Sequence, residues 1–391
     1  MTKSRKFGTK GVWLVFAPVG LLALGFFAFQ DASQVYYSTD DINQSNEPVV
    51  VKEEKFVATH LKTPEPVKGL YMTSWVAGTP SLRDNVIRLI HETELNTIVI
   101  DIKDDTGRIS YEITDPELKK IGSEEIRIKD LRGLISFLHA NKIYVVGRIA
   151  VFQDPFVART RPELAVKRVS DGAVWRDRKG LSWIDPGAKE YWQYVAILAK
   201  DAYFQGFDEI QFDYIRFPSD GNMSDIYYPF SQNKVKTNVM EEFFAFLDKE
   251  VRFSGIKISA DVFGMTTTNT DDLNIGQVIE NTFYHFDYVS PMVYPSHYPT
   301  GFFGIKNVNA SPYEVVKISL DHAASRLRTF HSTVASTTAQ IRPWLQDNDY
   351  PVPYTPEMVR KQIQATYDSG LDSWMLWDAG NTYTRDALLS Q

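Results

Sequence analysis

The sequence predicts an α/β protein whose one large domain is a (β/α)8 TIM barrel, and two observations favour this fold. Eight short apolar runs, rich in β-branched and aromatic residues, occur between residues 69 and 378. Longer segments with helical spacing separate them, an alternation typical of parallel strands joined by crossover helices. Eight such units in about 320 residues match a barrel with a few long loops. A doubly wound open sheet is the alternative, but the chain has neither a GxGxxG nor a Walker motif.

The predicted strands and helices alternate along the chain. The strands are GLYMTSW (69–75), NTIVIDIKDD (96–105), IYVVGRIAVF (143–152), FDEIQFDY (207–214), IKISADVFG (256–264), FDYVSPMVY (286–294), IRPWLQD (341–347) and DSWMLWD (372–378). The helices lie at 81–94, 129–141, 188–204, 239–251, 275–283, 312–330 and 355–370. With 391 residues, 43% of them hydrophobic, the chain is long enough to bury a large core.

The amino terminus predicts a membrane anchor. Residues 1–10 form a basic flank, and residues 11–29 carry no charge over about the length that spans a bilayer as a helix. Because a positive flank stays inside, the domain at residues 68–391 is expected outside a single-pass cell membrane anchor, joined to it by a flexible polar linker over residues 30–67. A cleaved signal peptide, which would secrete the domain, is the alternative, although AFQDAS only loosely resembles a cleavage site.

Composition excludes several classes of function. The net charge of −7 argues against a nucleic-acid binder, and the absence of cysteine excludes disulfides, thiolate metal sites, cysteine nucleophiles and a lipoprotein anchor. The seven histidines form no HxH or HExxH motif, and no GxSxG occurs. We therefore predict an activity without a cofactor or a metal, although Asp101, Asp104 and Asp105 leave a magnesium or calcium site open. The pattern indicates no particular oligomeric state.

Acidic and aromatic residues follow the predicted strands, at the end of a barrel where active sites lie. Asp213, Asp261 and Asp347 end the fourth, fifth and seventh strands. Paired carboxylates suit glycoside hydrolysis, in which one protonates the leaving oxygen while the other attacks the anomeric carbon or activates water. The residues expected to bind a sugar substrate are Trp75, Asp101, Lys103, Asp104, Arg148, Tyr214, Arg216, Tyr294, His297, Trp344, Trp377 and Asp378.

Asp213 is predicted as the nucleophile and Asp261 as the acid/base. Their strands are neighbours about 4.8 Å apart, which favours the carboxyl separation of about 5 to 5.5 Å found in retaining enzymes. Asp347 is the leading alternative for either role. Asp213 also has a structural interpretation, as a member of a buried ion pair with Arg148 or Arg216.

Other candidates have structural interpretations as well. Asp378 precedes Ala-Gly-Asn and is a candidate turn cap. Asp101 is equally well placed for a buried polar network, and His297 for packing within a loop. Trp175 and Trp183 fall in a predicted loop, where they are candidates for lining a cleft.

Nine segments together resemble a known family. They are YMTSW (71–75), VIDIKDD (99–105), RIAVFQDP (148–155), WRDRKGLSWIDP (175–186), GFDEIQFDYIRFPSDG (206–221), SADVFGMTTT (259–268), SPMVYPSHY (290–298), RPWLQD (342–347) and WMLWDAGN (374–381). Over roughly residues 68–384, in this order, the chain resembles a bacterial family of glycoside hydrolase domains, long catalogued as a domain of unknown function and related to the alpha-amylase-like and other glycosidase barrels.

The resemblance implies roles for three aspartates. In amylase-like barrels the nucleophile follows strand four, the acid follows strand five and a stabilising aspartate follows strand seven, and Asp213, Asp261 and Asp347 match these positions. Two residues depart from that pattern. Asp261 stands in place of a glutamate, and Gln211 stands where amylases keep an arginine.

The sequence thus predicts a membrane-tethered, outward-facing glycosidase acting on a polysaccharide of the cell envelope or an extracellular matrix. The alternative is a barrel that binds carbohydrate in an aromatic cleft without cleaving it. A metal-assisted hydrolase of an ester or amide is a third interpretation.

Overall fold

The computed structural model describes residues 56–334 and 337–391. The predicted basic flank and membrane segment, residues 1–29, lie outside these ranges, as does most of the predicted linker. Within the described ranges, no helix is both long enough and apolar enough to cross a bilayer.

Eight parallel strands close into a barrel. They are β1 (Lys68–Met72), β2 (Thr97–Lys103), β3 (Tyr144–Ala150), β4 (Glu209–Asp213), β5 (Lys257–Phe263), β6 (Tyr288–Met292), β7 in two pieces (Gln340–Ile341 and Trp344–Gln346) and β8 (Trp374–Trp377). Each strand pairs with the next along the chain, and β8 pairs with β1, which closes the sheet. The predicted (β/α)8 barrel is confirmed, and closure excludes the open doubly wound sheet.

Helices surround the barrel. In the described ranges they are α1 (Ser74–Ala77), α2 (Pro80–Glu92), α3 (Pro116–Ile121), α4 (Leu131–Ala140), α5 (Pro155–Thr160), α6 (Lys189–Gln205), α7 (Lys236–Glu250), α8 (Ile279–His285), α9 (Pro312–Thr333) and α10 (Pro356–Asp368). The seven predicted helices all occur, with ends displaced by a few residues. The loops after β3 and β4 are joined by a small antiparallel pair, Lys167–Arg168 with Ile226–Tyr227.

Three short helices, α1, α3 and α5, fall outside the predictions. Their caps are Thr73, Asp115 and Asp154, whose side chains accept hydrogen bonds from backbone N–H groups of the first turn. Capping side chains therefore start short helices that the apolar pattern did not predict. The first predicted strand, which ran to Trp75, ends at Met72 for this reason.

Residues 56–67, which we call the strap, pack across the amino ends of the strands. The Leu61 N–H donates to Asp208 at 2.6 Å, and the hydroxyls of Thr63 and Tyr144 lie 3.0 Å apart. A groove of about 410 Å³ lies between the strap and the barrel, at the end opposite to the strand tips. The compact unit accordingly begins at residue 56, within the predicted linker.

A buried ion pair lies low in the barrel interior. Glu209 on β4 and Arg342, between the two pieces of β7, have side chains that are 0% and 1% exposed. Arg342 donates to both carboxylate oxygens of Glu209, and the Tyr144 hydroxyl donates to one of them at 3.2 Å. The Arg342 guanidinium also lies 4.5 Å from the centroid of the Tyr288 ring. These contacts tie four strands together beneath the site.

Replacing Arg342 by methionine should lower the free energy of unfolding by about 3 to 5 kcal/mol, because Glu209 then keeps a buried charge without a cation. Combining Arg342→Met with Glu209→Leu should recover most of this loss, since no uncompensated charge remains. Urea unfolding at pH 7 measures both effects. The exposed pair of Lys361 and Glu357 is the control, and its disruption should change stability far less. A single replacement as mild as the control would contradict a buried ion pair.

Candidate active site

The two predicted catalytic carboxylates lie side by side at the carboxyl ends of β4 and β5. Phe212 pairs with Ala260, so Asp213 and Asp261 stand at the same level of the barrel. Both face the interior, because inward and outward side chains alternate along each strand. The Asp213 side chain is 10% exposed and the Asp261 side chain 1%. Asp213 is therefore the more accessible of the two.

Arg148 on β3 lies among three carboxylates. Its Nη1 donates to Asp101 Oδ1 at 2.7 Å, and its Nη2 donates to Asp213 Oδ2 at 2.6 Å. Its Nε lies 4.0 Å from Asp261 Oδ2. Arg148 also pairs in register with Gln211 on β4.

Asp213 has both carboxylate oxygens occupied. Besides Arg148, the backbone N–H of Tyr214 donates to Asp213 Oδ1 at 2.6 Å. Tyr214 adopts a left-handed backbone with a φ of 53°, which costs a non-glycine residue about 1 kcal/mol. Asp213 thus forms the buried ion pair with Arg148 that was its structural interpretation. Arg216, the other proposed partner, does not bond to it.

Asp261 has a different environment. The indole Nε1 of Trp344 donates to Asp261 Oδ1 at 2.8 Å. Burial, together with the negative charge of Asp213, raises the pKa of Asp261 well above its ordinary range. Burial therefore favours the protonated form of Asp261, whereas Asp213 is paired with a cation. Two neighbouring carboxyl groups in such different environments are suited to different steps of one reaction.

Aromatic rings line the site on the β1 and β8 side. Trp377 stacks on Tyr71 with ring centroids 4.2 Å apart, and Trp344 meets Trp377 edge-on at 5.7 Å. The Tyr71 hydroxyl donates to Asp101, whose pKa burial raises to about 6 although Arg148 opposes the shift. Trp377 is half-buried, so part of its surface stays open at the end of β8.

Asp347 and Asp378 are bound to the carboxyl-terminal loop. Thr384 donates to Asp347 from its hydroxyl at 2.5 Å and from its N–H at 3.0 Å. Asp378 accepts hydrogen bonds from the N–H groups of Gly380 and Thr382, the geometry of the turn cap that the sequence left open. Among the described residues, Asp347 forms no hydrogen bond with Arg148 or with the aspartates around it. The structure brings Asp213 and Asp261 together and leaves Asp347 beside them.

Lys103 does not reach the cleft. The strand register shifts between Asp101 and Lys103, so the usual alternation breaks and Lys103 leaves the barrel interior. Its ammonium donates to the carbonyl of Ala150 and lies 3.0 Å from Asp154, with both charged side chains fully buried. The structure thus gives Lys103 a structural ion pair and not the position expected of a substrate ligand.

Asp104 and Trp75 lie near one another on the rim. Arg127 donates to Asp104 and stacks on the Trp75 ring, 4.5 Å from its centroid. Trp75 is 59% exposed and remains free to contact a ligand. After β6, the buried Tyr294 meets His297 edge-on at 5.3 Å, and its ring centroid lies 6.5 Å from that of Trp377.

The tryptophans of the loop after β3 are buried. Trp183 meets Tyr214 edge-on with centroids 5.8 Å apart, and Arg216 lies 4.9 Å from the Trp183 ring centroid. Trp175 donates its indole N–H to Asn222. Trp183 and Arg216 thus pack beside Tyr214. The sequence instead predicted Trp175 and Trp183 as cleft lining and Arg216 as a substrate ligand.

Two residues near the site were not among the predicted substrate contacts. Tyr71 faces the interior and holds Asp101, and the alternation along β1 was the signal that could have found it. Asp105 is half-buried next to Asp104, and burial, with the charge of Asp104, raises its pKa. Across the described ranges, no three carboxylates or histidines are grouped to hold a metal ion. Asp101 and Asp104 are each bonded to an arginine instead.

A closed parallel barrel with paired carboxyl groups at its carboxyl end is the architecture of many glycosidases. Residues 69–383 match the family described as "putative glycosyl hydrolase domain", and the chain belongs to this family. The family resemblance expected from the sequence is confirmed. Comparison with curated proteins gives no match.

Several solved structures are similar to this chain. The glycoside hydrolase domain of PgaB from Bordetella bronchiseptica is 12% identical over 83% of this chain and 99% of that chain, with a TM-score of 0.59. A hypothetical protein from Ruminiclostridium thermocellum is 38% identical over 49% of this chain and 97% of that chain, with a TM-score of 0.45. The alpha-galactosidase of Thermus thermophilus is 13% identical over 83% of this chain and 60% of that chain, with a TM-score of 0.49.

Replacing Asp347 by asparagine should make stability less dependent on pH. Burial raises the pKa of Asp347 to about 6, whereas an unfolded aspartate titrates near 4. Between these values the native state holds a proton that the unfolded state has lost, so this group's contribution to stability falls as pH rises from about 4 to 6. As the pH rises from 4 to 7, the free energy of unfolding of Asp347→Asn should therefore increase by about 2 to 3 kcal/mol relative to that of the wild type.

Urea unfolding at several pH values checks this expectation. Asp84→Asn is the matched control, because the Asp84 side chain is 70% exposed. A stability difference between Asp347→Asn and wild type that stays constant from pH 4 to 7 would count against the raised pKa.

Proposed function

We propose that this domain cleaves a polysaccharide by a two-carboxylate mechanism in which Asp213 is the nucleophile and Asp261 the acid/base. The single observation that carries the proposal is the contrast between the two groups. Asp213 is ion-paired with Arg148 at 2.6 Å, whereas Asp261 is buried with a strongly raised pKa. Such opposed environments on adjacent strands assign the ionised group to attack and the protonated group to proton donation.

The steps follow from these assignments. A carboxylate oxygen of Asp213 attacks the anomeric carbon, and the bond from that carbon to the leaving oxygen breaks. The proton of Asp261 passes to the leaving oxygen, which keeps the bonding electron pair. Water then attacks the glycosyl ester with Asp261 as the base, which restores both groups.

The substrate proposal rests on the rim and on the amino terminus. The half-buried Trp377 ends β8 and the exposed Trp75 follows the adjacent strand β1, and aromatic surface at these two points suits a chain of several sugar rings. The basic flank and uncharged segment of residues 1–29 support a membrane-anchored domain facing outward. A polysaccharide of the cell envelope or of an extracellular matrix fits that location.

A carbohydrate-binding barrel without catalysis is the second candidate. It is favoured by one observation, that both oxygens of Asp213 are already bonded and the Asp261 side chain is 1% exposed. In a binding protein, these hydrogen bonds would hold the cleft in shape and neither aspartate would react. Kinetics of aspartate variants separates the two candidates.

Replacing Asp213 or Asp261 by asparagine should each lower hydrolysis by a factor of at least about 10² to 10⁴, because each removes one of the two reacting groups. The assay measures new reducing ends released from soluble polysaccharides, including glycol chitin, galactomannan and starch. Asp347→Asn is the matched control and should lower the rate by less than about tenfold, since its bonds lead to Thr384. Wild-type binding without hydrolysis would support the second candidate, and an inactive Asp347 variant beside an active Asp213 variant would reverse the assignment.

The products should retain the configuration of the anomeric carbon, because a nucleophile and an acid on adjacent strands favour a covalent intermediate. Proton NMR of the first sugar released, recorded before mutarotation, identifies the anomer. Release of the inverted anomer would instead mean that water attacks directly, with Asp213 acting as the base.

A further inference from the structure

The Nε–H of Arg148 has no hydrogen-bond partner among the described residues, although it is buried. The two Nη atoms of the same side chain bond to Asp101 and Asp213. A buried donor without an acceptor is unfavourable, because its lost hydration is not compensated. Asp261 Oδ2 lies 4.0 Å from this Nε. The unpaired donor is thus close to the group that the mechanism uses as its acid.

The rest of the guanidinium is held in place. Asp101 binds Nη1 and is itself held by the Tyr71 hydroxyl, and the Trp377 ring centroid lies 5.2 Å from the guanidinium carbon. The indole of Trp344 fixes the other oxygen of Asp261. The terminal torsion of an aspartate carboxyl group is soft, so Asp261 Oδ2 is free to move toward Nε.

The proposed reaction moves one negative charge between the two aspartates. Before attack, Asp213 is ionised and Asp261 is protonated. In the covalent intermediate, Asp213 is an uncharged ester and Asp261, having given up its proton, is ionised. The total charge of the pair stays the same, but its location changes from one side of Arg148 to the other.

We propose that Arg148 is a positioning residue that exchanges its carboxylate partner during catalysis, holding Asp213 through Nη2 before attack and Asp261 through Nε after proton transfer. This inference rests on the proposed function. It explains why one arginine contacts one carboxylate closely and stands 4.0 Å from the other. It also assigns a purpose to the unpaired Nε–H.

Asp213→Asn tests the proposal without any substrate, because it gives position 213 the neutral charge that it has in the intermediate. The Asp261 pKa is first measured in this variant by NMR of ¹³C-labelled aspartate carboxyls. A crystal structure is then determined at a pH one unit above that pKa. Arg148 Nε and Asp261 Oδ2 should lie within hydrogen-bond distance, about 2.9 Å. A separation that stays near 4 Å with Asp261 ionised would overturn the exchange.

Removing the guanidinium gives a second measurement. The charged and polar groups that face Asp261 are Asp213 on β4, Arg148 on β3, Tyr294 after β6, and Trp344 and Arg342 of the β7 region. The Asp261 pKa should be at least about one unit lower in Asp213→Asn than in Asp213→Asn with Arg148→Met, because only the first keeps the cation. Arg216→Lys in the Asp213→Asn background is the control and should leave that pKa nearly unchanged. Equal Asp261 pKa values in the first two variants would also overturn the proposal.

These results separate the inference from the proposed function. If Asp261→Asn hydrolyses the polysaccharide like the wild type, Asp261 is not the acid and the proposed function fails. If Asp261→Asn is inactive but Arg148 and Asp261 stay apart, the function stands and the partner exchange is wrong. The crystal structure requires no replacement of Arg148, so a misfolded Arg148 variant does not remove the test.

Discussion

The fork between Arg148 and its two nearest carboxylates is the contact on which the site depends. A guanidinium buried in a barrel is costly to desolvate, and Asp101 and Asp213 compensate that cost from either side. Three neighbouring strands, β2, β3 and β4, supply these groups. Arg148 pairs in register with Asp101 and reaches up to Asp213, two residues beyond its own register partner Gln211.

The interior below this fork is organised in the same way. Glu209, four residues before Asp213 on β4, forms a second buried ion pair with Arg342. The Tyr144 hydroxyl donates a hydrogen bond to Glu209. Between Glu209 and Asp213 on β4 lies Gln211, which is fully buried and carries no charge. A register slip of β4 would separate both buried carboxylates from their arginines, which makes such a slip costly.

The barrel could be predicted from the sequence because eight apolar runs and their helices carry strong periodic signals. Asp213 and Asp261 could be found for the same reason, since each ends a run. Lys103 could not be placed, because a register shift after Asp101 reverses its direction and leaves no mark in the pattern. Long-range packing likewise determined the burial of Trp183, which a loop assignment cannot show. The roles assigned to the aspartates and the membrane anchor remain predictions.

The strap makes the two ends of the barrel different. Residues 56–67 bind the amino ends of the strands, where Leu61 and Thr63 anchor them, so the chain enters at the face opposite the carboxylates. A ligand that enters at the strand tips meets the loops that follow the strands and not residues 56–67. The strap therefore closes one end of the barrel and leaves the end that holds the carboxylates clear.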